Sequence, residues 1–348
     1  MRVRGFKRTV LGIATAMLLP LGAGAVVAPP VSAGFNPSGF DLWVDSPEMG
    51  PIKSRIFPAA DGNTNRVVYV LDGERARGDL NGWEINTNVA EVLQSWNINV
   101  VMPVGGQSSF YADWDSPSSF FGVRPGTGSS AANSGSGVTE SLGGGEGKSY
   151  RYTWESLLTN QLRWALRDRL GFNPNRNGVF GLSMGGSAAL TLSAYHPDQF
   201  SFAGSFSGYL NISAPGMREG IRAAMMDAGG YNVDCMAPPW GPQWLRMDPF
   251  VFAPTLIANN TRVWVAAGSG VPMQQDLDIP LGAAADRIVR GTPLEALALA
   301  NTRAFQVRMM SLGAGNVVYD FPPAGLHAWT NWQDNAYRMI PDLSANIG

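Results

Sequence analysis

Short apolar runs alternate with helix-like stretches along most of this 348-residue chain, and this alternation constrains the fold more than any other feature. The strand-like runs cover residues 66–71, 97–103, 177–182, 202–206, 261–266 and 316–321. Helical patterns lie between them, for example at 154–169 and 187–195. Buried strands that alternate with helices form mostly parallel sheets with helices on both faces. We therefore expect an α/β fold of this layered kind.

The first 33 residues have the order of segments that is typical of a secretory signal peptide. Basic residues at positions 2, 4, 7 and 8 precede an apolar run from Val10 to about Val27, and small residues lead to Ala33. We expect cleavage near Ala33 and an exported domain over residues 34–348 with no transmembrane span; an uncleaved anchor is the alternative. A Gly/Ser-rich stretch at about 122–148 is predicted to be a flexible surface insertion in that domain.

Charge and residue usage exclude several classes of protein. The net charge of −2 argues against a nucleic-acid binder. A single cysteine, Cys235, excludes an intrachain disulfide and a cysteine-based zinc cluster, and we interpret it as a buried structural thiol. Two histidines argue against a multi-histidine metal site, so we expect no metal. Chemistry that needs an imidazole must use His196 or His327.

The strongest chemical motif is the G-x-S-x-G sequence over residues 181–185, which follows a predicted strand and precedes a small-residue helix. This context is typical of a nucleophile elbow with Ser183 at its apex. Glycines flank the serine because the tight, strained turn has no room for side chains. The elbow also places the backbone N–H of Met184 at a helix N-terminus, where it can donate to an oxyanion.

A serine nucleophile needs a general base, and the two histidines differ in position. His196 lies thirteen residues after Ser183 at the end of the following helix, which carries it about 20 Å away. His327 lies in the loop after the last predicted strand, where a parallel hydrolase sheet presents its base. We therefore predict that His327 accepts the serine proton. For the acid, spacing alone favours Asp276 or Asp278, which follow the fifth strand, over the helical Glu295.

Several strings resemble the antigen 85 complex mycolyltransferases and the broader family of secreted mycolyltransferases. The matching strings lie at 68–73, 81–86, 101–111, 181–184, 194–197, 227–231, 258–262 and 321–329, and span roughly Leu42 to Asp342. The resemblance implies an α/β-hydrolase fold without a cofactor. It also implies transfer of a mycoloyl group between trehalose monomycolates, giving trehalose dimycolate and trehalose, or onto cell-wall arabinogalactan, through an acyl-serine. Diacylglycerol acyltransferase-like activity is a further activity that the resemblance suggests.

The resemblance also implies roles for individual residues. The family's nucleophile, base and acid fall on Ser183, His327 and Glu295, and on this ground we choose Glu295 over the two aspartates. Its oxyanion donors fall on the backbone N–H groups of Met184 and Glu74, although the family has an apolar residue at the second position. Its sugar-contacting positions fall on the following residues: Asp72, Arg75, Trp329 and, more weakly, Asn86.

Two other functions remain open at this point. A secreted carboxylic-ester hydrolase would use the same serine chemistry, with water in place of the sugar as the acyl acceptor. A surface or matrix-binding protein on the same fold would not need an intact serine, histidine and carboxylate. The sugar-site residues favour transfer over hydrolysis. Oligomeric state is not predicted from the sequence.

Overall fold

Eight strands hydrogen-bond into one sheet in this computed structural model, which describes residues 34–119 and 145–348. The strands are β1 (Phe40–Ser46), β2 (Gly50–Phe57), β3 (Val67–Leu71), β4 (Asn99–Pro103), β5 (Asn177–Leu182), β6 (Phe200–Phe206), β7 (Arg262–Ala266) and β8 (Val317–Asp320). Their order across the sheet is β1-β2-β4-β3-β5-β6-β7-β8. Strands β3 to β8 pair in parallel, whereas β1 pairs with β2, and β2 with β4, in antiparallel fashion. The predicted α/β class is confirmed.

All six predicted strands are present, but the antiparallel pair β1 and β2 was not predicted. In β1 the side chains alternate, so that Leu42 and Val44 are buried while Trp43 is exposed. This half-buried pattern lacks the continuous apolar run by which the parallel strands are recognised. Gly50, with φ of +74°, opens β2 directly after the turn, in a conformation that favours glycine.

Two features of the sequence fall wholly or partly outside the described residues. The predicted signal peptide, residues 1–33, lies outside them. So do residues 120–144, which make up most of the predicted insertion at about 122–148. The described end of that insertion contacts the loop after β4 through Glu146, whose carboxylate accepts a 2.7 Å hydrogen bond from the backbone N–H of Gly106.

Helices cover both faces of the sheet. They are α1 (Gly82–Asn86), α2 (Val89–Ser95), α3 (Trp154–Ser156), α4 (Leu162–Leu170), α5 (Met184–Tyr195), α6 (Met217–Gly229), α7 (Val233–Met236), α8 (Pro242–Arg246), α9 (Pro249–Ala258), α10 (Gln274–Leu277), α11 (Leu281–Ser311) and α12 (Trp329–Asn346). A π-helical turn, Leu157–Gln161, joins α3 to α4. The helix predicted at 187–195 begins three residues earlier, at Met184, directly after the elbow serine.

Large side chains on the two faces of β5 hold these layers together. On one face, Val179 lies in a core cluster with Tyr69 and Phe200, whose rings meet edge to face at 5.3 Å. On the other face, Phe180 packs edge to face against Trp83 at 5.4 Å. Because both faces are covered, every residue of β5 is buried. The strand that ends at the elbow is therefore fully enclosed by the layers on its two faces.

The loops that carry the chemical groups leave the sheet at one edge. In a parallel sheet the carboxyl ends of all strands lie at the same edge, where α/β proteins place their ligands. Asp72 and Glu74 follow β3, Ser183 follows β5, and His327 follows β8. The alternation of strands and helices thus gathers residues that are up to 255 positions apart in the sequence.

Candidate active site

Ser183 occupies a strained turn between β5 and α5. Its φ of 52° and ψ of −120° lie in a region that non-glycine residues rarely adopt, at a cost of about 1–3 kcal/mol. Its backbone N–H donates to the carbonyl of Phe206 at 2.8 Å. A Cβ on Gly185 would lie 2.3 Å from the carbonyl oxygen of Asp72, and one on Gly181 would lie 2.6 Å from the backbone of Gly185. Both glycines are therefore required by contact between backbones.

Glu295 and His327 form a buried, hydrogen-bonded pair, with His327 in the loop after β8 at the edge of the sheet where β5 ends at Ser183. Glu295 lies on α11 with no exposed surface, and its Oε2 is 2.9 Å from Nδ1 of His327. Its Oε1 accepts hydrogen bonds from the Ser207 hydroxyl at 2.7 Å, the backbone N–H of Gly268 at 2.5 Å and the Asn331 amide at 3.1 Å. These donors fix the orientation of the carboxylate. With Nδ1–H donating to Glu295, the imidazole presents the lone pair of Nε2 for a proton.

The two aspartates that spacing favoured lie in other contacts. Asp276 is fully buried, and it accepts hydrogen bonds from the Thr330 hydroxyl at 2.8 Å and from Arg287 at 3.2 Å. Asp278 is exposed and accepts from the Gln274 amide at 2.8 Å. The structure therefore brings Glu295, and neither aspartate, to the imidazole. The spacing argument considered only residues close to the end of β7. Glu295 lies 29 positions after β7, on the helix α11, whose path brings it to His327.

His196 and Cys235 make contacts with residues other than Ser183, Glu295 and His327. His196 Nε2 lies 2.7 Å from Oε1 of Glu155, which also pairs with Arg246. These two partners lower the pKa of the Glu155 carboxyl to about 2, against the opposing effect of burial. Cys235 is partly buried, and its sulfur lies 3.4 Å from the backbone carbonyl of Ser119. Both residues are accounted for by packing, hydrogen bonding and charge pairing.

The two backbone N–H groups that the sequence predicts as oxyanion donors lie in the elbow and in the loop after β3. Neither the N–H of Met184 nor that of Glu74 donates a hydrogen bond within the described residues. The loop after β3 approaches the nucleophile closely, since a Cβ on Gly73 would lie 3.8 Å from Cβ of Ser183. The Glu74 carboxyl accepts a 2.8 Å hydrogen bond from the Ser108 hydroxyl. Burial raises the pKa of this carboxyl to about 7 despite that bond.

Of the predicted sugar-contacting residues, Asp72 and Trp329 come together. A Cβ on Gly82 would meet the Trp329 ring at 2.5 Å and the Asp72 carboxylate at 2.8 Å. Asp72 accepts backbone hydrogen bonds from Gly73 at 2.7 Å and Gly82 at 2.6 Å, and burial raises its pKa to about 6. The Trp329 ring is half-buried and packs edge to face on Trp83 at 5.7 Å. The Trp329 ring and the Asp72 carboxylate therefore lie against the same glycine.

Arg75 and Asn86 are placed differently. Arg75 is exposed and forms an ion pair with Asp227 on α6. Asn86 is also exposed, and its amide donates to the carbonyl of Gly82 at 2.8 Å, within its own helix. The structure thus brings two of the four predicted sugar-contacting side chains together and leaves the other two in surface contacts.

Residues around the predicted triad were missed by sequence reasoning. Ser207 donates to Glu295 and accepts a 3.0 Å hydrogen bond from the indole of Trp332. Tyr209 stacks on His327, with ring centroids 6.4 Å apart and an interplanar angle of 21°. The only available signal was position, because Ser207 and Tyr209 follow β6 directly, at the edge where the other site residues gather.

The described residues hold no cluster of three or more histidine, cysteine, aspartate or glutamate side chains suited to a metal ion. Among the described helices, none combines the length and apolar character needed to cross a bilayer.

A strained serine after a central parallel strand, with a histidine after the last strand, is the arrangement of an α/β-hydrolase. Residues 49–343 match the family described as "Putative esterase", in agreement with that class. The chain is 38% identical over 360 residues to diacylglycerol acyltransferase/mycolyltransferase Ag85B of Mycolicibacterium smegmatis, covering 100% of this chain and 98% of that protein. It is also 38% identical over 341 residues to the Ag85C protein of Mycobacterium leprae, covering 96% and 90% of the two chains.

A solved structure shows the same relationship. The crystal structure of Mycobacterium tuberculosis MPT51 (FbpC1) superposes with a TM-score of 0.69 at 29% identity, covering 89% of this chain and 99% of that one. The chain therefore belongs to the antigen 85 family of diacylglycerol acyltransferase/mycolyltransferases. The family resemblance predicted from the sequence strings is confirmed.

Proposed function

We propose that this protein is a serine-dependent acyltransferase that moves a mycoloyl group from one trehalose monomycolate to another through an acyl-Ser183 intermediate. The observation that carries the proposal is the buried Glu295–His327 pair at the same edge of the sheet as the strained Ser183 turn. The relatives named as mycolyltransferases support the acyl group. Arabinogalactan is a further acceptor of the same chemical kind, because it also presents sugar hydroxyls.

In the first half-reaction, Ser183 Oγ attacks the ester carbonyl of the donor and its proton passes to Nε2 of His327. Glu295 holds the imidazole and stabilises the positive charge that forms on it. The developing oxyanion accepts from the N–H groups of Met184 and Glu74, which have no other partner within the described residues. The proton on His327 then passes to the departing trehalose as its ester bond breaks.

In the second half-reaction a sugar hydroxyl attacks the acyl-enzyme. His327 accepts the hydroxyl proton and returns it to Ser183 Oγ when that ester bond breaks. Transfer exceeds hydrolysis only if a sugar occupies the site in preference to water. The Trp329 ring face and the Asp72 carboxylate, which meet at Gly82, are suited to a pyranose ring and its hydroxyls. They are the structural support for transfer over hydrolysis.

The site of action follows from the amino terminus. The basic residues, apolar run and small residues that end at Ala33 support export with cleavage near that residue. Mycoloyl donors and acceptors are envelope components in this proposal, so export brings the enzyme to its substrates. The domain assigned to the exported protein is residues 34–348.

The direct test is to incubate the purified protein with trehalose monomycolate and to separate trehalose dimycolate from free mycolic acid. Formation of dimycolate and free trehalose in equal amounts supports the proposal. Free acid as the main product, with no response to added trehalose, supports the secreted ester hydrolase instead. Recovery of unchanged substrate from enzyme that still labels at Ser183 would exclude this donor.

Replacement of Trp329 by alanine is expected to reduce transfer to trehalose by about tenfold more than hydrolysis of a small activated ester, because lost sugar contacts cost about 1–3 kcal/mol. The ratio of the two activities cancels any damage to the shared serine chemistry. Trp329→Phe keeps a ring face and should recover part of the ratio. The exposed Trp164 on α4 provides the control, because Trp164→Ala should leave the ratio unchanged. Equal losses in both activities would remove Trp329 from the acceptor site.

Activity should fall above about pH 7 as Glu74 ionises. Below that pH the Glu74 carboxyl is neutral, and above it a negative charge opposes the oxyanion that its own N–H stabilises. Glu74→Gln should therefore abolish the alkaline fall in kcat/KM for a small ester. Ser108→Ala removes the bond that lowers this pKa and should move the fall to higher pH. A fall that persists unchanged in Glu74→Gln would show that another group causes it.

A further inference from the structure

A strained loop, residues 105–111, follows β4 and lies against the site. Five of its seven residues have a positive φ: Gly105 at 95°, Gly106 at 83°, Ser108 at 56°, Phe110 at 51° and Tyr111 at 47°. Three of the five are not glycine, and such residues adopt this conformation only where the surrounding structure holds them in it. The 105–111 loop therefore depends on contacts from other segments of the chain.

The loop contacts both residues whose backbone N–H groups are the proposed oxyanion donors. Its Ser108 forms two hydrogen bonds with Glu74, from N–H to the carbonyl at 3.0 Å and from the hydroxyl to Oε1 at 2.8 Å. The N–H of Phe110 donates to the sulfur of Met184 at 3.1 Å. The position of Glu74 in particular is therefore coupled to the conformation of the 105–111 loop.

One carboxylate from outside the loop holds its strained start. Oε1 of Glu146 accepts a 2.7 Å hydrogen bond from the N–H of Gly106, and no other acceptor for that N–H lies among residues 34–119 and 145–348. The fit is close, since a Cβ on Gly105 would lie 2.5 Å from the same oxygen. Glu146 is itself fixed, because its carbonyl accepts from the Tyr231 hydroxyl at 2.9 Å.

The neighbouring residue of the loop is held differently. The Gln107 carbonyl accepts from the Tyr152 hydroxyl at 3.0 Å, and the Gln107 amide donates to the Ala228 carbonyl at 2.7 Å. Gly106 has no side chain that could make such contacts, so its N–H bond to Glu146 fixes the orientation of its peptide group. A short path of bonded residues thus leads from the end of the Gly/Ser-rich insertion, through the loop, to Glu74.

We propose that Glu146 is a positioning residue for the oxyanion site. By accepting from the Gly106 N–H, it holds the 105–111 loop in the conformation in which Ser108 fixes Glu74. Glu146 touches no reacting atom, so its effect on the reaction passes through the loop. The inference rests on the acyl-serine chemistry of the proposed function but not on the identity of the acyl acceptor.

The experiment measures the oxyanion site with a substrate and an inhibitor that do not contain a sugar. The substrate is p-nitrophenyl butyrate. The inhibitor is 1,1,1-trifluorooctan-2-one, whose carbonyl carbon bonds to Ser183 Oγ while the Oγ proton passes to His327 and the carbonyl oxygen becomes an oxyanion. Because the adduct and the transition state share this oxyanion, its inhibition constant follows the strength of the oxyanion site.

Four variants are compared with the wild type. Glu146→Ala and Glu146→Leu both remove the acceptor for Gly106 and differ in volume, whereas Glu146→Gln keeps an oxygen that can accept. Glu48→Ala is the control, because the exposed Glu48 pairs with Arg151, five residues after Glu146. It loosens the same segment of the chain without touching the bond to Gly106.

Glu146→Ala and Glu146→Leu are expected to lower kcat/KM by about tenfold with KM unchanged, because the Glu74 N–H is displaced from the developing charge. The inhibition constant of the ketone should rise by the same factor. Glu146→Gln and Glu48→Ala should stay within about twofold of the wild type in both measurements. Rates are expressed per mole of fluorophosphonate-labelled enzyme, so a residue that only stabilises the fold would change neither quantity.

Wild-type kcat/KM and inhibition constants in Glu146→Ala or Glu146→Leu would overturn the proposal. An equal loss in Glu146→Gln would also overturn it, because the charge of Glu146 and not its bond to Gly106 would then matter. The same conclusion follows from an equal loss in Glu48→Ala. If neither Glu146→Ala nor Glu146→Leu folds, Glu146 serves stability and the proposal fails. Absence of dimycolate formation, with the expected pattern for the small ester, would refute the proposed function and leave the role of Glu146 standing.

Discussion

Replacement of Ser183 by alanine is expected to reduce turnover by on the order of 10⁴-fold or more, the largest effect of any single change in this protein. The attacking oxygen is lost, and the residual rate comes from the oxyanion donors and substrate binding alone. The fold should persist, because alanine fits the same tight turn and Ser183 is held there by its backbone N–H bond to Phe206. Circular dichroism and thermal unfolding check this, and steady-state rates give the loss.

The double variant with His327→Ala sharpens the test of this assignment. Because the two side chains act as one unit, the combined loss should be close to that of either single variant and far from their product. A fluorophosphonate probe followed by peptide mapping should place the label on Ser183 in the wild type and nowhere in Ser183→Ala. A label on another serine, or multiplicative losses in the double variant, would contradict the triad.

Replacement of Glu295 by glutamine should reduce kcat by about 10³–10⁴-fold, somewhat less than loss of the nucleophile or base. Every group around this carboxylate is a donor: the Ser207 hydroxyl, the Gly268 N–H, the Asn331 amide and His327 Nδ1. The glutamine NH₂ must face one of them, so the imidazole loses its orientation. Stability should also fall, by about 1–3 kcal/mol for each buried donor left without an acceptor.

Asp276→Asn is the matched control for Glu295→Gln, since both carboxylates are fully buried and both lie near α11 and α12. Its bonds to Thr330 and Arg287 are structural, so we expect lower stability with nearly wild-type turnover per folded molecule. Active-site titration with the fluorophosphonate corrects each rate for the folded fraction. Collapse of turnover in Asp276→Asn, with Glu295→Gln near the wild type, would reverse the assignment of the acid.

The parallel strands and the elbow could be predicted because their signals are local. A buried strand is a short apolar run, and a strained serine needs glycines within two residues. The β1–β2 hairpin was missed because only alternate residues, such as Leu42 and Val44, are buried. An edge pair of this kind has no continuous apolar run, so its sequence resembles that of a loop.

The proposed acid, Glu295, shows why the rest of the site could not be predicted from local signals. Glu295 reaches His327 only because α11 runs back beneath the edge of the sheet, and nothing within several residues of it records that path. Family resemblance supplied the residue that spacing did not. Neither a local motif nor the family resemblance pointed to Tyr209. From the sequence, a tyrosine after a strand is interpreted as a core residue, and only the structure shows its ring stacked on His327.

The contact between Gly185 and the Asp72 carbonyl has a consequence for how this enzyme can be altered. Because Gly185 has no side chain, the start of α5 packs directly against the loop that carries Glu74. The distance between the backbone N–H groups of Met184 and Glu74 therefore depends on close packing at this glycine and not on a polar side chain. A library that randomises position 185 should return glycine alone among active clones. Exposed positions such as Arg75 and Asn86, by contrast, should tolerate substitution without altering the reaction centre.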